Sequence, residues 1–424
     1  MMQGWARQGM AVVAAGVWLA GGFGAASAAT EAERIAELER QVGALAREVE
    51  TLRLGDLEGA AGAPVYGLSP SASKVYHREH GVSIGGYGEA LYQNFDDESK
   101  SDEWDFLRAV LYAGYKYNDR LVLNTEIEVE HAADDQEGEV AVEFAYLDYL
   151  YNPAFNLRGG LVLIPMGLLS EMHEPTTFLS ARRPDSESRI IPSTWRENGV
   201  GAFGDVGPFS YKLYLVNGFD AEGFSAAGLR GGRQKASKAN ADNLAVVGRV
   251  DFTGVPGLLA GVSGYQGDAG AGTGGSVDTS IYEAHADWKW RGLEVRALAV
   301  VAEVDGAGEL STTLATEGEI LPADFDPVGE RLTGWYVQVG YDVLSVLRPG
   351  EASLSPFIRY EEYNTQDEVP AGFAASGKND VTSTTIGLSF KPIEQIVLKG
   401  EFQDYDNAAG TASDQWNLAM GYVF

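Results

Sequence analysis

From about Val82 to Phe424 apolar and polar residues alternate with a period of two, the repeat of a strand with one face in an apolar medium. Leu121, Leu123, Thr125, Ile127 and Val129 share one face, with Asn124, Glu126, Glu128 and Glu130 on the other. Tyr282, Ala284, Ala286, Trp288 and Trp290 alternate with Glu283, His285, Asp287 and Lys289, and Leu293, Val295, Ala297, Ala299 and Val301 oppose Glu294 and Arg296. Ile396, Leu398, Gly400 and Phe402 alternate with Val397, Lys399, Glu401 and Gln403. Asp148 breaks the phase of Val140, Val142, Phe144 and Tyr146, which predicts a bulge there.

A soluble β-sandwich alternates too, so the connections decide. The pattern divides into about sixteen strands, joined alternately by short and long segments. The short ones include Asn118 to Arg120, Asp205 to Pro208, Thr253 to Gly257, Arg291 to Gly292 and Lys391 to Gln395. Long polar ones lie near 131–138, 165–198, 218–243, 267–276, 305–331, 364–380 and 406–413. Short periplasmic turns and long outer loops produce that rhythm in membrane barrels, and an even strand count puts both termini in the periplasm. The final run Trp416, Leu418, Met420, Tyr422 and Phe424 resembles the sorting signal that barrel-assembly machinery reads in outer-membrane proteins. Trp104, Tyr115, Tyr117, Tyr149, Tyr151, Trp288, Trp290, Trp335 and Tyr341 sit near predicted strand ends, as interfacial girdles require. The fold class expected is therefore all-β: a 16-stranded antiparallel transmembrane β-barrel over residues 80–424.

The pattern before it is different. Arg7, the apolar run Met10 to Leu19 and the small residues Ala26, Ser27 and Ala28 read as a signal peptide over 1–28. Thr30 and Glu33 form a capping box. Ile35, Leu38, Val42, Leu45, Val49 and Leu52 then follow three- and four-residue steps, a heptad seam that predicts a short coiled-coil helix over 29–55. Gly55 and the stretch Gly59 to Pro64 end it, and 56–79 reads as a linker.

Composition narrows the function. The 424 residues carry a formal charge of -30 and contain no Cys. The charge argues against a nucleic-acid partner, and the missing thiols exclude disulfides and thiolate metal sites. Five His residues (His77, His80, His131, His173 and His285) are scattered without metal-ligand spacing. Neither a nucleophile elbow nor a phosphate-cradling loop motif occurs. No enzyme, metal or cofactor is expected.

Several stretches resemble the phosphate-selective porin O and P family of Gram-negative bacteria. They are Val110 to Glu130 (VLYAGYKYNDRLVLNTEIEVE), Glu139 to Leu150 (EVAVEFAYLDYL), Gly160 to Phe178 (GLVLIPMGLLSEMHEPTTF) and Ile191 to Gly199 (IPSTWRENG). Gly223 to Asn240 (GFSAAGLRGGRQKASKAN), Gly334 to Leu344 (GWYVQVGYDVL) and Pro356 to Phe373 extend the likeness. It implies a trimeric barrel of the outer membrane, in contact with lipid and lipopolysaccharide, through which small hydrophilic solutes or ions diffuse. Phosphate-selective members resemble an anion funnel of Arg and Lys, so anions such as phosphate are the specialised possibility.

Candidate pore residues follow. The third long connection, from about Pro165 to Asn198, is expected to fold inward and narrow the pore, as in trimeric porins. Its Arg182, Arg183, Arg189 and Arg196 are candidates for anion contact at the constriction, because guanidinium forks match carboxylate and phosphate oxygens. The alternative is that they pair with the loop's own carboxylates. Arg230, Arg233, Lys235 and Lys238 form a basic cluster placed at the outer mouth, where it would gather anions or bridge lipopolysaccharide phosphates. Arg108, Lys116, Arg249, Lys289, Arg296, Arg359 and Lys399 are inward wall candidates, interleaved with Glu126, Glu128, Glu143, Glu283, Asp287, Glu294, Glu361 and Glu401. A different class of function is also open: a periplasmic tether in which the heptad helix grips a partner and the barrel serves as anchor.

Overall fold

The computed structural model describes residues 64–132, 138–270, 275–321, 324–347 and 350–424. The expected signal peptide and heptad helix lie outside them. Sixteen antiparallel strands form one closed barrel. They run from β1 (Gly81–Phe95), β2 (Glu103–Lys116), β3 (Leu121–Glu130), β4 (Val140–Asn152), β5 (Phe155–Leu163) and β6 (Arg196–Val206) round to β16 (Gln415–Val423). The last strand pairs with the first, Tyr87 opposite Val423, and Phe424 and Gly86 exchange backbone hydrogen bonds of 2.9 and 3.0 Å beyond the ladder. Strand count, alternation and the order of short and long connections agree with the sequence pattern.

Burial is inverted relative to a soluble sandwich. Val262 and Ile386 point outward and are 57% and 59% exposed, while their neighbours Ser263 and Thr385 point inward and are 6% and 0% exposed. An apolar outer face on a barrel with no free edge meets the two conditions a lipid bilayer sets. Tyr115, Tyr117, Tyr149, Tyr151, Trp290 and Tyr341 are exposed near the short-turn end, where an aromatic girdle belongs. Tight turns rest on backbone chemistry: at Arg291 and Gly292 φ is +49° and +86°, the doubly left-handed turn that matches the twist of a hairpin.

Two expectations need correcting. The break in β4 is not at Asp148. The register shifts where Glu126 faces Phe144 and Ile127 faces Val142, so Glu143 is the extra residue. Val140 and Val142 point outward, and Glu143, Phe144, Tyr146 and Asp148 are all buried. The bulge turns Phe144 and Tyr146 into the lumen, where alternation from Val140 and Val142 would have sent them to lipid. The second correction concerns the linker over 56–79. From Pro64 onward it is a packed strap with a short helix, α1 (Lys74–His77), and Leu68, Ala72 and Val75 are buried.

The outward face carries a testable cost. Val262→Arg, near the middle of its strand, should destabilise the folded barrel by about 2–4 kcal/mol in a bilayer. Urea titration of folding into phospholipid vesicles measures this. A loss well under about 1 kcal/mol would place Val262 at the interface rather than in hydrocarbon.

Candidate pore constriction

The segment between β5 and β6 enters the lumen. It has little backbone ladder of its own, and a buried polar backbone must find partners. The inner wall supplies them. Arg249 donates to the Gly167 carbonyl (2.6 Å), Arg296 to that of Thr177 (3.1 Å) and Arg359 to that of Arg182 (3.1 Å). Lys391 reaches the Thr176 carbonyl (2.7 Å) and Lys399 the Ser180 carbonyl (2.9 Å). Wall carboxylates serve the opposite groups. Glu401 accepts from the N–H of Ala181 (2.7 Å) and Arg182 (3.2 Å), and Glu361 from that of Ser186 (2.7 Å).

The wall candidates therefore point inward as their phase requires, yet most hold protein rather than line an open path. Arg249 also pairs with Asp251 (2.8 Å), Arg296 with Asp287 (2.8 Å), and Arg108 with Glu128 (3.1 Å). Lys116 donates to the Tyr76 carbonyl in the strap (3.2 Å). Lys289 is the exposed member of the set, 3.6 Å from Glu294. The mixed signs along the wall are explained by a loop whose carbonyls and amides both need partners.

The four constriction arginines separate. Arg196 is not in the loop but opens β6, buried and paired with Glu143 and, at 3.3 Å, Glu139. Those two carboxylates take its terminal nitrogens, with Nε left buried without a partner, so it is corrected from a free anion contact to a structural ion pair. Arg189 pairs with Asp185 (3.1 Å) and lies over the Tyr363 ring. Arg183 donates to the Thr194 hydroxyl (3.0 Å) and keeps its other terminal nitrogen buried without a partner. Burial and the neighbouring Arg108 lower its pKa. Arg182 makes no side-chain hydrogen bond or ion pair with the described residues. With Arg189, Lys100, Lys378, Asp185 and Tyr405 it lines a cavity of about 250 Å³ on the long-loop side.

The outer-mouth cluster is also corrected. Arg230 donates to the Ser193 carbonyl, and Arg233 donates to those of Pro192 (3.3 Å) and Thr194 (2.6 Å). Burial, then Arg233 and Arg183, pull the Arg230 pKa down to about 9. Lys235 pairs with Glu139 (2.6 Å) and Lys238 is exposed. Arg230 and Arg233 lash the fourth long loop to the residues before β6, and Lys235 ties it to Glu139 just before β4, so the three do not face solvent as a group.

Spacing gave no sign of Glu174 or His173 as organising residues. His173 is buried with Nδ1 3.0 Å from the Ser170 carbonyl and Nε2 3.1 Å from Glu126. Burial, reinforced by Arg183, pushes its pKa down to about 3. The Glu174 carboxylate accepts from the N–H of Ser71 (3.0 Å) and Ala72 (3.1 Å) in the strap. Burial outweighs those bonds and raises its pKa from 4.5 to about 7.

A protein of Aquifex aeolicus (strain VF5), described as uncharacterised, is 38% identical over 383 residues, which cover 88% of this chain and 87% of its own length. The chain belongs to that protein's family. No family model matches. Solved structures similar in fold include a loop-deletion mutant of OmpT, an outer-membrane protein of Vibrio cholerae (13% identity, 82% of this chain and 100% of that one, TM-score 0.53). An anion-selective porin from Comamonas acidovorans (12%, 82% and 100%, 0.52) and Salmonella typhi OmpF with daunomycin (11%, 82% and 98%, 0.52) are others. The fold of this family is that of the sixteen-stranded outer-membrane porins.

Glu174 makes stability depend on pH. Its pKa is raised in the folded state, so the stability linked to this proton is full below about pH 4.5 and is lost as pH rises through about 7. The thermal midpoint of the wild type relative to Glu174→Gln should fall across that window and level off above it. A difference that is flat, or that grows with pH, contradicts the assignment.

Proposed function

We propose that this chain is an outer-membrane channel through which small hydrophilic solutes diffuse passively, with anions ahead of cations. The observation that carries this reading is the pair Arg182 and Arg183 on the inward loop. Of the four candidate arginines, these two have no carboxylate partner, whereas Arg189 and Arg196 do. A cation left unneutralised in a low-dielectric lumen attracts anions and repels cations over several ångströms. The formal charge of -30 does not oppose this, because inward acids are largely engaged with wall cations or loop amides.

The finer parts of the reading follow the resemblance. Phosphate, or a carboxylate of similar size, is the solute class it favours. Three copies would assemble in the membrane, with a removed leader, a periplasmic heptad helix and a C-terminal Phe424 read during barrel assembly. The tether reading is supported by one feature: the strap is bonded to the last residue of the barrel, Ser71 Oγ donating to the Phe424 carbonyl (2.7 Å). A load on the N-terminal segment would reach the barrel directly, and anchoring is compatible with conduction.

Planar-bilayer recordings in a salt gradient, with phosphate or succinate added against chloride, test the main reading. The wild type should show an anion-directed reversal potential and partial block by the added oxyanion. Arg182→Glu with Arg183→Glu should reduce the anion preference several-fold or reverse it. Cation preference in the wild type would refute the reading.

A further inference from the structure

The strap from Val65 to Arg78 is built unlike the rest of the barrel. Every backbone–backbone hydrogen bond described within it is local, such as Ser73 N–H to the Ser69 carbonyl (3.0 Å) and Tyr76 N–H to that of Ser73 (3.0 Å). None joins the ladder. Its attachment is through side chains. Asn124 donates to the Ala72 carbonyl (2.9 Å), Tyr76 donates to Asp148 (2.6 Å), and Arg158 donates to the Tyr76 hydroxyl (3.1 Å). Ser71 Oγ accepts from Gly86 N–H (3.0 Å) while donating to Phe424. Val75 sits where Gly114 leaves room: a β-carbon there would lie 2.6 Å from its methyl. An element held by side-chain bonds and three buried apolar residues, with no ladder of its own, can leave without breaking any strand pairing, unlike a strand in a closed sheet.

Its position gives that separability a consequence. Val122 faces the lumen between Lys116 and Asp148, and both of those touch Tyr76, so Val122 is fully buried under the strap. Beside the strap, on the Tyr66, Lys212 and Arg249 side, a cavity of about 490 Å³ remains. The strap therefore narrows the short-turn end of the lumen, and Glu174 ties it to the constriction loop.

We propose that Val65–Arg78 is a displaceable plug, latched by Glu174, whose withdrawal widens the periplasmic end of the channel. This rests on the channel reading above. The heptad pattern of residues 35–52 lies upstream in the sequence, so a partner that grips that segment is placed to pull the plug.

The cysteine-free full-length chain allows a direct test. V122C supplies a thiol reporter beneath the strap, combined separately with A72P, which removes one latch N–H without altering the loop, and with E174A. Both combinations should raise single-channel conductance and the rate of thiol labelling by a water-soluble reagent several-fold over V122C alone. Faster labelling with unchanged conductance would show that the strap leaves without narrowing the pore. Unchanged labelling in both would show that the latch does not hold it, and a response to E174A but not A72P would assign the effect to the loop; each overturns the plug. If no protein conducts while labelling still responds, the channel reading fails and the gate with it, a result separable from failure of the strap alone.

Discussion

Hydrocarbon offers no partner to a peptide N–H or C=O, and that constraint organises the molecule. Each strand must be paired on both sides, so the sheet can only close on itself. Closure brings the first and last strands together at Tyr87 and Val423. It also sets Phe424 beside Gly86 and Ser71. The C-terminal residue is thus the seam of the barrel and the point at which the strap is attached.

The same constraint operates inside. A long irregular loop within the lumen has amides and carbonyls that a strand would have paired with a neighbour. Arg249, Arg296, Arg359, Lys391 and Lys399 cover its carbonyls, while Glu361 and Glu401 cover its amides. A wall that looked mixed and poorly suited to selecting ions is a consistent set of loop supports. On the proposed reading, selectivity rests on cations of the inward loop that no carboxylate pairs, Arg182 and Arg183 among them. Because buried polar networks are costly when half satisfied, removing a support should disturb the constriction more than removing a surface charge.

Glu174 and His173 show how the loop and strap are coupled. Both lie where burial disfavours charge, so a neutral imidazole and a carboxyl that titrates at about 7 sit at the junction of wall, loop and strap. Two backbone amides from the strap end on one carboxylate of the loop, and movement of either element changes the other's hydrogen bonding. A channel built this way can be altered from its N-terminal side without any strand changing register.

Much of the barrel was legible in the chain because period two is local. Leu121 to Glu130 carries its inward and outward faces in its own sequence, and Arg291 and Gly292 carry their turn. The same reasoning misplaced the bulge of β4, since Phe144 and Tyr146 turn inward, where Tyr146 meets Tyr76 of the strap, a partner far along the chain. It could not sort the arginines. Arg182 and Arg196 have the same side-chain chemistry, and which of them is paired depends on the carboxylates that the closed barrel brings to Arg196. Nor could it turn a Gly- and Ser-rich linker into a plug, because nothing in residues 64–79 demands a partner until Glu174, Asn124 and Asp148 are arranged around them. The sequence alone determined the strands, their faces and their turns, which depend on near neighbours. Only the tertiary structure decided which charges hold the loop and which remain free, because that depends on contacts made across the lumen between residues distant in the chain.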